Sequence, residues 1–233
     1  MKFHAPLVRG TLVQRYKRFM ADVMLDTGET VTAHCANSGA MAGLKEPGSV
    51  VWLSPAANPD RKLKYSWELI EADGDLVGIN TSHPNHIVAE AIRAGAIDAL
   101  TGYGALRQEV KYGKNSRIDI LLEDAGRPPC YVEVKNVHLR RGGTLAEFPD
   151  AVTARGTKHL LELGDMVEAG HRAVMFYLVQ RMDCDRFAIA RDIDPVYDAG
   201  LVAARARGVE VLCYACRLTT EEITVDRPLS LTI

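Results

Sequence analysis

Residues 116–135 leave the backbone few options. Ser116-Arg117-Ile118-Asp119-Ile120-Leu121-Leu122 and Cys130-Tyr131-Val132-Glu133-Val134-Lys135 are β-branched and apolar, whereas Glu123-Asp124-Ala125-Gly126-Arg127-Pro128-Pro129 between them is rich in residues that end regular structure. Two strands joined by a turn, an antiparallel hairpin, satisfy that pattern. If the hairpin is symmetric about Gly126, Asp119 lies across from Glu133. Side chains alternate along a strand, so Glu133 and Lys135 share a face, about 7 Å apart, with Val132 and Val134 turned away. Ile118, Ile120 and Leu122 likewise oppose Asp119. An apolar face then meets a core, and charge gathers on the other side.

Two carboxylates held that close repel each other, and Lys135 offsets only part of the charge. A divalent cation relieves the rest. Magnesium prefers oxygen ligands and keeps several waters, so Asp119 and Glu133 with a substrate phosphate suffice to hold Mg²⁺ or Mn²⁺. Lys135 is then placed to orient the attacking water or to stabilise charge on phosphorus, and phosphodiester cleavage is the chemistry expected. A solvated strand face carrying the same three residues is the alternative, since short E-x-K matches are common by chance.

The chain has 233 residues, 47% hydrophobic and 25% charged, which fits a soluble globular protein and suggests two domains. No apolar run approaches a membrane span, and Met1-Lys2-Phe3-His4-Ala5-Pro6 opens no signal-peptide core, so a cytoplasmic protein is expected. The five scattered cysteines read as reduced thiols. Cys213 and Cys216 form a C-x-x-C, but on a strand positions three apart face opposite ways, which argues against a shared zinc.

The pattern divides near residue 80. Before it, strand-like runs at Leu7 to Val13, Phe19 to Leu25, Thr30 to Cys35, Ser49 to Ser54 and Tyr65 to Glu71 are punctuated by Gly, Pro and Asn, which predicts a small OB-like barrel over residues 1–80. After it, a helix at His86 to Gly95, a strand at Leu106 to Tyr112, the hairpin, a helix at Thr153 to Glu168, a strand at Arg172 to Gln180, a helix at Pro195 to Ala206 and a strand at Val209 to Leu218 predict an α/β domain with a mixed sheet over residues 81–233. In the second helix Leu160, Leu161, Leu163 and Val167 are expected inward, with Arg155, Lys158, His159 and Glu162 on another face.

That order, with Asp119 and Glu133-Val134-Lys135 on the second and third strands, resembles the PD-(D/E)xK nuclease fold. The whole chain is similar to the sugar fermentation stimulation protein A family. The resemblance rests on Leu12-Val13-Gln14-Arg15-Tyr16-Lys17-Arg18-Phe19, His34-Cys35-Ala36-Asn37-Ser38-Gly39-Ala40-Met41, Glu109-Val110-Lys111-Tyr112-Gly113, Ser116-Arg117-Ile118-Asp119, Tyr131-Val132-Glu133-Val134-Lys135 and the run from Phe148-Pro149-Asp150 to Lys158-His159-Leu160. Ala36 and Ser38 depart from the Cys-Pro-Asn-Thr-Gly-x-Met-like pattern, and both keep a small turn. The resemblance implies an N-terminal OB-fold, a C-terminal nuclease-like domain, non-specific DNA binding and a regulatory part in sugar utilisation. By it Asp119, Glu133 and Lys135 match the nuclease signature, Glu90 matches a carboxylate often found on the first core helix, and Lys158 is placed like the basic or amide residue that completes many such sites. For Glu90 and Lys158 the alternative is a solvated helix face.

Charge supports a nucleic-acid partner, DNA foremost, and a homodimer is compatible with the sequence. Residues 1–67 hold nine Lys and Arg against five Asp and Glu, a net of +4 in a chain of net −2. Phosphate contacts need such cations, and aromatic rings stack on unpaired bases. Arg15, Tyr16, Lys17 and Arg18 are the foremost candidates. Phe19, Tyr65 and Trp67 are expected in the barrel core, and Arg61-Lys62-Leu63-Lys64 is either a contact or a solvated loop. Gly102-Tyr103-Gly104 lacks the helix that a dinucleotide loop needs, His83-Pro84-Asn85-His86 reads as a helix entry, and Ser38 as turn chemistry. Three functions remain: a metal-dependent nuclease, a non-catalytic DNA-binding regulator on a nuclease-like fold, and a sugar-binding barrel.

Overall fold

The computed structural model describes residues 1–113 and 115–233. Strands β1 (Val8–Tyr16), β2 (Met20–Leu25) and β3 (Thr30–His34) form an antiparallel meander. The next three, β4 (Val50–Pro55), β5 (Tyr65–Ala72) and β6 (Asp75–Gly78), extend the sheet in the order β3-β2-β1-β4-β5-β6. A parallel contact of Ala33 and His34 with Tyr65 and Ser66 closes the first five strands into the expected barrel. Its alternating inward residues include Leu12, Val23, Val51, Leu53 and Trp67, all at most 1% exposed. The approach of β1 to β2 requires glycine at position 10, where a Cβ would come within 2.6 Å of Val23 Cγ1 and 2.8 Å of the Met24 carbonyl. Trp67 is core as expected and Tyr65 packs against it, but Phe19 stands outside, 48% exposed.

The short strand β6 gave no alternating signal of its own, and its hairpin changes the charge argument. Glu68, Glu71, Asp73 and Asp75 bring residues 1–80 to zero net charge. The barrel as a whole is therefore not basic.

The second half begins with α1 (Pro84–Arg93), followed by β7 (Ala105–Tyr112), β8 (Ser116–Asp124) and β9 (Arg127–Val137). Next come β10 (Leu139–Arg140), β11 (Leu145–Phe148), α2 (Ala154–Glu168), β12 (Arg172–Val179), β13 (Arg186–Ile189), α3 (Pro195–Ala206), β14 (Glu210–Leu218), β15 (Ile223–Pro228) and β16 (Ser230–Thr232). The main sheet runs β15-β14-β12-β9-β8-β7, and it is mixed because β12 is parallel to both β9 and β14. A second small sheet, β10-β11-β13-β16, leans on it. The arrangement is that of a nuclease-like α/β domain. Strand β12 is apolar after Arg172 because both of its faces are covered: Met175 and Tyr177 pack in the cluster with Leu160, Leu163 and Leu201, while Val174 and Phe176 pack with Ile87 and Val88.

Cys213 belongs to the first of those clusters and Cys216 to the second, on opposite faces of β14 as alternation requires. All five cysteines are buried and free. Among the described residues no helix is long and apolar enough to cross a membrane.

Two expectations about faces are corrected. Ile118 does not share a face with Ile120 and Leu122, since it joins the α2 side while they join the α1 side. The strand changes face at Asp119 because Glu109, on β7 between the paired residues Gln108–Ile120 and Val110–Ile118, adopts φ +55° and interrupts the ladder. On α2, Leu161 is 53% exposed, whereas His159 and Glu162 are buried at 3% and 6%. Those two lie beside the Leu160–Leu163 stripe, at the border that the sheet covers.

The halves are joined by polar contacts. Asp73 on the β5–β6 turn pairs with Arg140 at 2.5 Å and with buried Arg181 at 3.2 Å, and Arg181 also pairs with Asp183 at 2.7 Å. The Met41 amide of the barrel donates to Asp150 Oδ2 at 3.3 Å. A Cβ at Gly39 would sit 2.5 Å from that same carboxylate oxygen. The small turn of the Asn37-Ser38-Gly39 motif thus lets the barrel seat against the segment that leads into α2.

Candidate active site

The hairpin of β8 and β9 has the register Ile120–Val132 and Leu121–Tyr131, which projects Asp119 opposite Glu133. The Asp119 carboxylate takes the place of a ladder carbonyl, because Oδ2 accepts from the Val134 amide at 2.7 Å. Its Oδ1 accepts from Asn85 Nδ2 at 2.8 Å, and that same amide donates to Glu109 Oε1 at 3.0 Å. Asn85 sits in the first turn of α1, so the helix entry aims it at the hairpin. Burial, together with the charge of Glu133, pushes the Asp119 carboxyl up to about 6.

Glu133 is 2% exposed. Its Oε1 accepts from Lys135 Nζ at 2.7 Å and from His159 Nδ1. Burial would raise its pKa, but the His159 hydrogen bond and the charge of Lys135 hold the carboxyl below its ordinary range. Among the described residues its Oε2 has no hydrogen-bond partner. His159 Nε2 accepts from Arg155 Nε at 3.4 Å, so the tautomer with its proton on Nδ1 satisfies both neighbours. An open groove of about 410 Å³, lined by Glu109, Arg117, Arg155, Lys158 and His159 among others, runs beside these groups.

Asp119, Glu133 and Lys135 therefore converge. Lys158 stands at the groove, donating to Ser116 Oγ at 3.0 Å and lying 3.5 Å from Glu162 Oε1. Glu90 is placed elsewhere: its Oε2 is 2.7 Å from the Met1 amine, in a hollow with Thr224 and Val225, and α1 contributes Asn85 to the site instead. Arg15 bonds the Asn37 and Gly39 carbonyls at 2.8 and 3.3 Å, and the Tyr16 hydroxyl donates to Asp22 at 3.1 Å, so both brace the barrel. Lys17 and Arg18 form the exposed tip of the β1–β2 turn, with φ +48° and +62°. His83 is the N-cap residue of α1, as expected of a helix entry, and its ring bonds buried Glu68 at 2.7 Å.

Three further residues join the site: Asn85, Glu109 and His159. The sequence places His159 on the polar face of α2 with Arg155, Lys158 and Glu162, so its burial against Glu133 was not legible there. Asn85 had only its place at a helix entry, and Glu109 gave no signal because its strained backbone breaks the alternation by which strand faces are read.

Among the described residues no three His, Cys, Asp or Glu side chains are grouped to enclose a metal. Two carboxylates beside an open groove nevertheless match an ion that keeps most of its waters. The donors fit such an ion for a second reason: a buried carboxylate oxygen without a partner among the described residues lies next to a carboxyl whose proton affinity is raised by burial and by its neighbour's charge.

Comparison with known proteins agrees in both halves. A family profile described as SfsA N-terminal OB domain matches residues 13–79, and one described as Sugar fermentation stimulation protein RE domain matches residues 82–222. A sugar fermentation stimulation protein homolog of Rhodospirillum centenum is 65% identical over 231 residues, covering 99% of both chains. Another, of Paramagnetospirillum magneticum, is 64% identical over 231 residues, 99% of this chain and 98% of its own. The solved structure described as Pyrococcus furiosus SfsA in complex with Ca²⁺ superposes with a TM-score of 0.89 at 26% identity over the full length of both chains. With both halves matched and relatives aligned almost end to end, this chain belongs to the sugar fermentation stimulation protein (SfsA) family.

Proposed function

We propose that this chain is a divalent-metal-dependent nuclease acting on DNA, with its cutting centre at Asp119, Glu133 and Lys135. The observation that carries the reading is the partnerless Oε2 of Glu133, a 2% exposed carboxylate beside Asp119. Leaving such an atom unpaired costs about 1–3 kcal/mol or more for a charged group, a cost that a hard cation removes. The Ca²⁺ bound by the Pyrococcus furiosus relative supports an oxygen-ligated cation.

Asp119 and Glu133 would hold the ion. When bound, Mg²⁺ or Mn²⁺ supplies polarisation of the phosphoryl oxygen and acidifies a water. Asn85 orients the Asp119 carboxylate, and His159 fixes Glu133 from the opposite side. Lys135, docked on Glu133 Oε1, presents its remaining N–H bonds to the attacking oxygen and the phosphate. Arg155 and Lys158 line the groove by which a polyanion approaches.

The test is cleavage of DNA by the purified protein with Mg²⁺ or Mn²⁺. Asp119→Ala, Glu133→Ala and Lys135→Ala are each expected to lower cutting by about 100-fold or more. Cutting retained in all three variants identifies a contaminant and ends the proposal. A second reading, a DNA-binding regulator that does not cut, draws on the engagement of Glu133 Oε1 by both Lys135 and His159, which partly neutralises the centre without metal. DNA bound but uncut as duplex, single strand, flap and junction favours that reading.

A further inference from the structure

We propose that Lys111 and Arg117 form a phosphate-binding subsite for the nucleic-acid strand beside the scissile position, an inference that rests on Asp119 and Glu133 being the cutting centre. The two residues are direct cross-strand partners on β7 and β8. Like charges directly opposite in an antiparallel pair destabilise the sheet. Both side chains are exposed, and among the described residues neither makes a hydrogen bond or an ion pair that would offset that repulsion. The same ribbon does neutralise cations elsewhere. Arg107 on β7 is held by Glu123 on β8 through two bonds of 2.8 and 2.9 Å.

Position gives the unpaired cations a use. Lys111 lies two residues from Glu109 and Arg117 two residues from Asp119, and Arg117 lines the same groove as Glu109 and His159. They line a hollow of about 400 Å³ that shares Asn115, Ser116 and Arg117 with the groove of the site. A phosphate seated between an ammonium and a guanidinium relieves their repulsion and receives charge-assisted hydrogen bonds from both. A strand crossing the groove would thus place one phosphate at Asp119 and Glu133 and a neighbouring one at Lys111 and Arg117. The recognised group is a backbone phosphodiester, read without regard to base.

The test compares the wild type with K111A/R117A and with the charge-preserving K111R/R117K. Binding of a labelled single-stranded deoxyoligonucleotide is measured in Ca²⁺ over a range of salt. The slope of log affinity against log salt is expected to fall by about 0.7–1 for the lost phosphate contact in K111A/R117A and to be kept in K111R/R117K. In Mg²⁺ the KM for cutting is expected to rise about tenfold. Without DNA, K111A/R117A is expected to melt higher than the wild type, because the cross-strand repulsion is gone, whereas a merely structural pair would lower the melting temperature. An unchanged slope, or wild-type protein that binds no DNA, overturns the subsite. Wild-type protein that binds with the expected slope yet cuts nothing refutes the nuclease reading alone, and the slope difference between the variants then still decides the subsite.

Discussion

Replacing Asp119 separates two contributions of its carboxylate, one to the sheet and one to the charge of the site. Asp119→Ala strands the Val134 amide without an acceptor and is expected to cost about 1–3 kcal/mol in urea denaturation, while Asp119→Asn keeps an oxygen there and costs less. Equal losses in the two variants would show that the ladder contact is immaterial. The same residue sets a pH dependence. Unfolded, its carboxyl titrates near 3.8; folded, near about 6. Between those values the folded chain keeps a proton that the unfolded chain has released. Stability from this group is therefore intact below the lower value and falls as pH rises through about 6, by on the order of 2–3 kcal/mol. Glu133 shifts the other way: burial opposes its charge, but the His159 hydrogen bond and Lys135 hold its carboxyl below the usual range. Metal-free wild type is expected to lose stability from pH 4 to 6.5 relative to Asp119→Asn, and excess Mg²⁺ to restore it. Parallel profiles for the two proteins would refute this assignment.

At the scale of elements, α2 carries Arg155, Lys158 and His159 to the groove, and its start is fixed from α3. Asp194 caps α3 by accepting from the Tyr197 amide at 2.9 Å and also accepts from the Thr153 amide at 2.8 Å, immediately before α2. Asp194 is 2% exposed, so Asp194→Ala is expected to cost about 2–3 kcal/mol, a drop of roughly 5–10 °C in Tm, and to weaken Mn²⁺ affinity by loosening His159. A Tm change under 2 °C would contradict this. Long elements were legible in the sequence: α3 was expected over Pro195 to Ala206, its observed bounds, and the β8–β9 hairpin came from period and turn chemistry alone. The strands that escaped, β6, β10, β11, β13, β15 and β16, span two to six residues each and owe their pairing to distant partners. The site divided along the same line. Asp119, Glu133 and Lys135 share one hairpin, so local alternation brought them together, whereas His159, Asn85 and Glu109 come from helices and a strained strand whose placement is tertiary.

Over the whole molecule the barrel and the α/β half share a charged seam in which Arg181, 2% exposed, links Asp73 of the barrel to Asp183. Arg181→Ala leaves Asp183 with Arg140 and the Cys184 thiol and is expected to cost about 3 kcal/mol, splitting one calorimetric transition into two as the barrel uncouples. A single transition at unchanged Tm would mean the seam does not couple the halves. The buried thiols bear on how such openings are watched. Burial pushes Cys130 and Cys184 up to about 12, and no cysteine reaches the surface. A maleimide dye will find no handle on the native chain. Labelling rate then becomes a clock for unfolding, and a single cysteine engineered at the exposed Lys17–Arg18 tip would take a fluorophore uniquely, with no wild-type thiol to remove first.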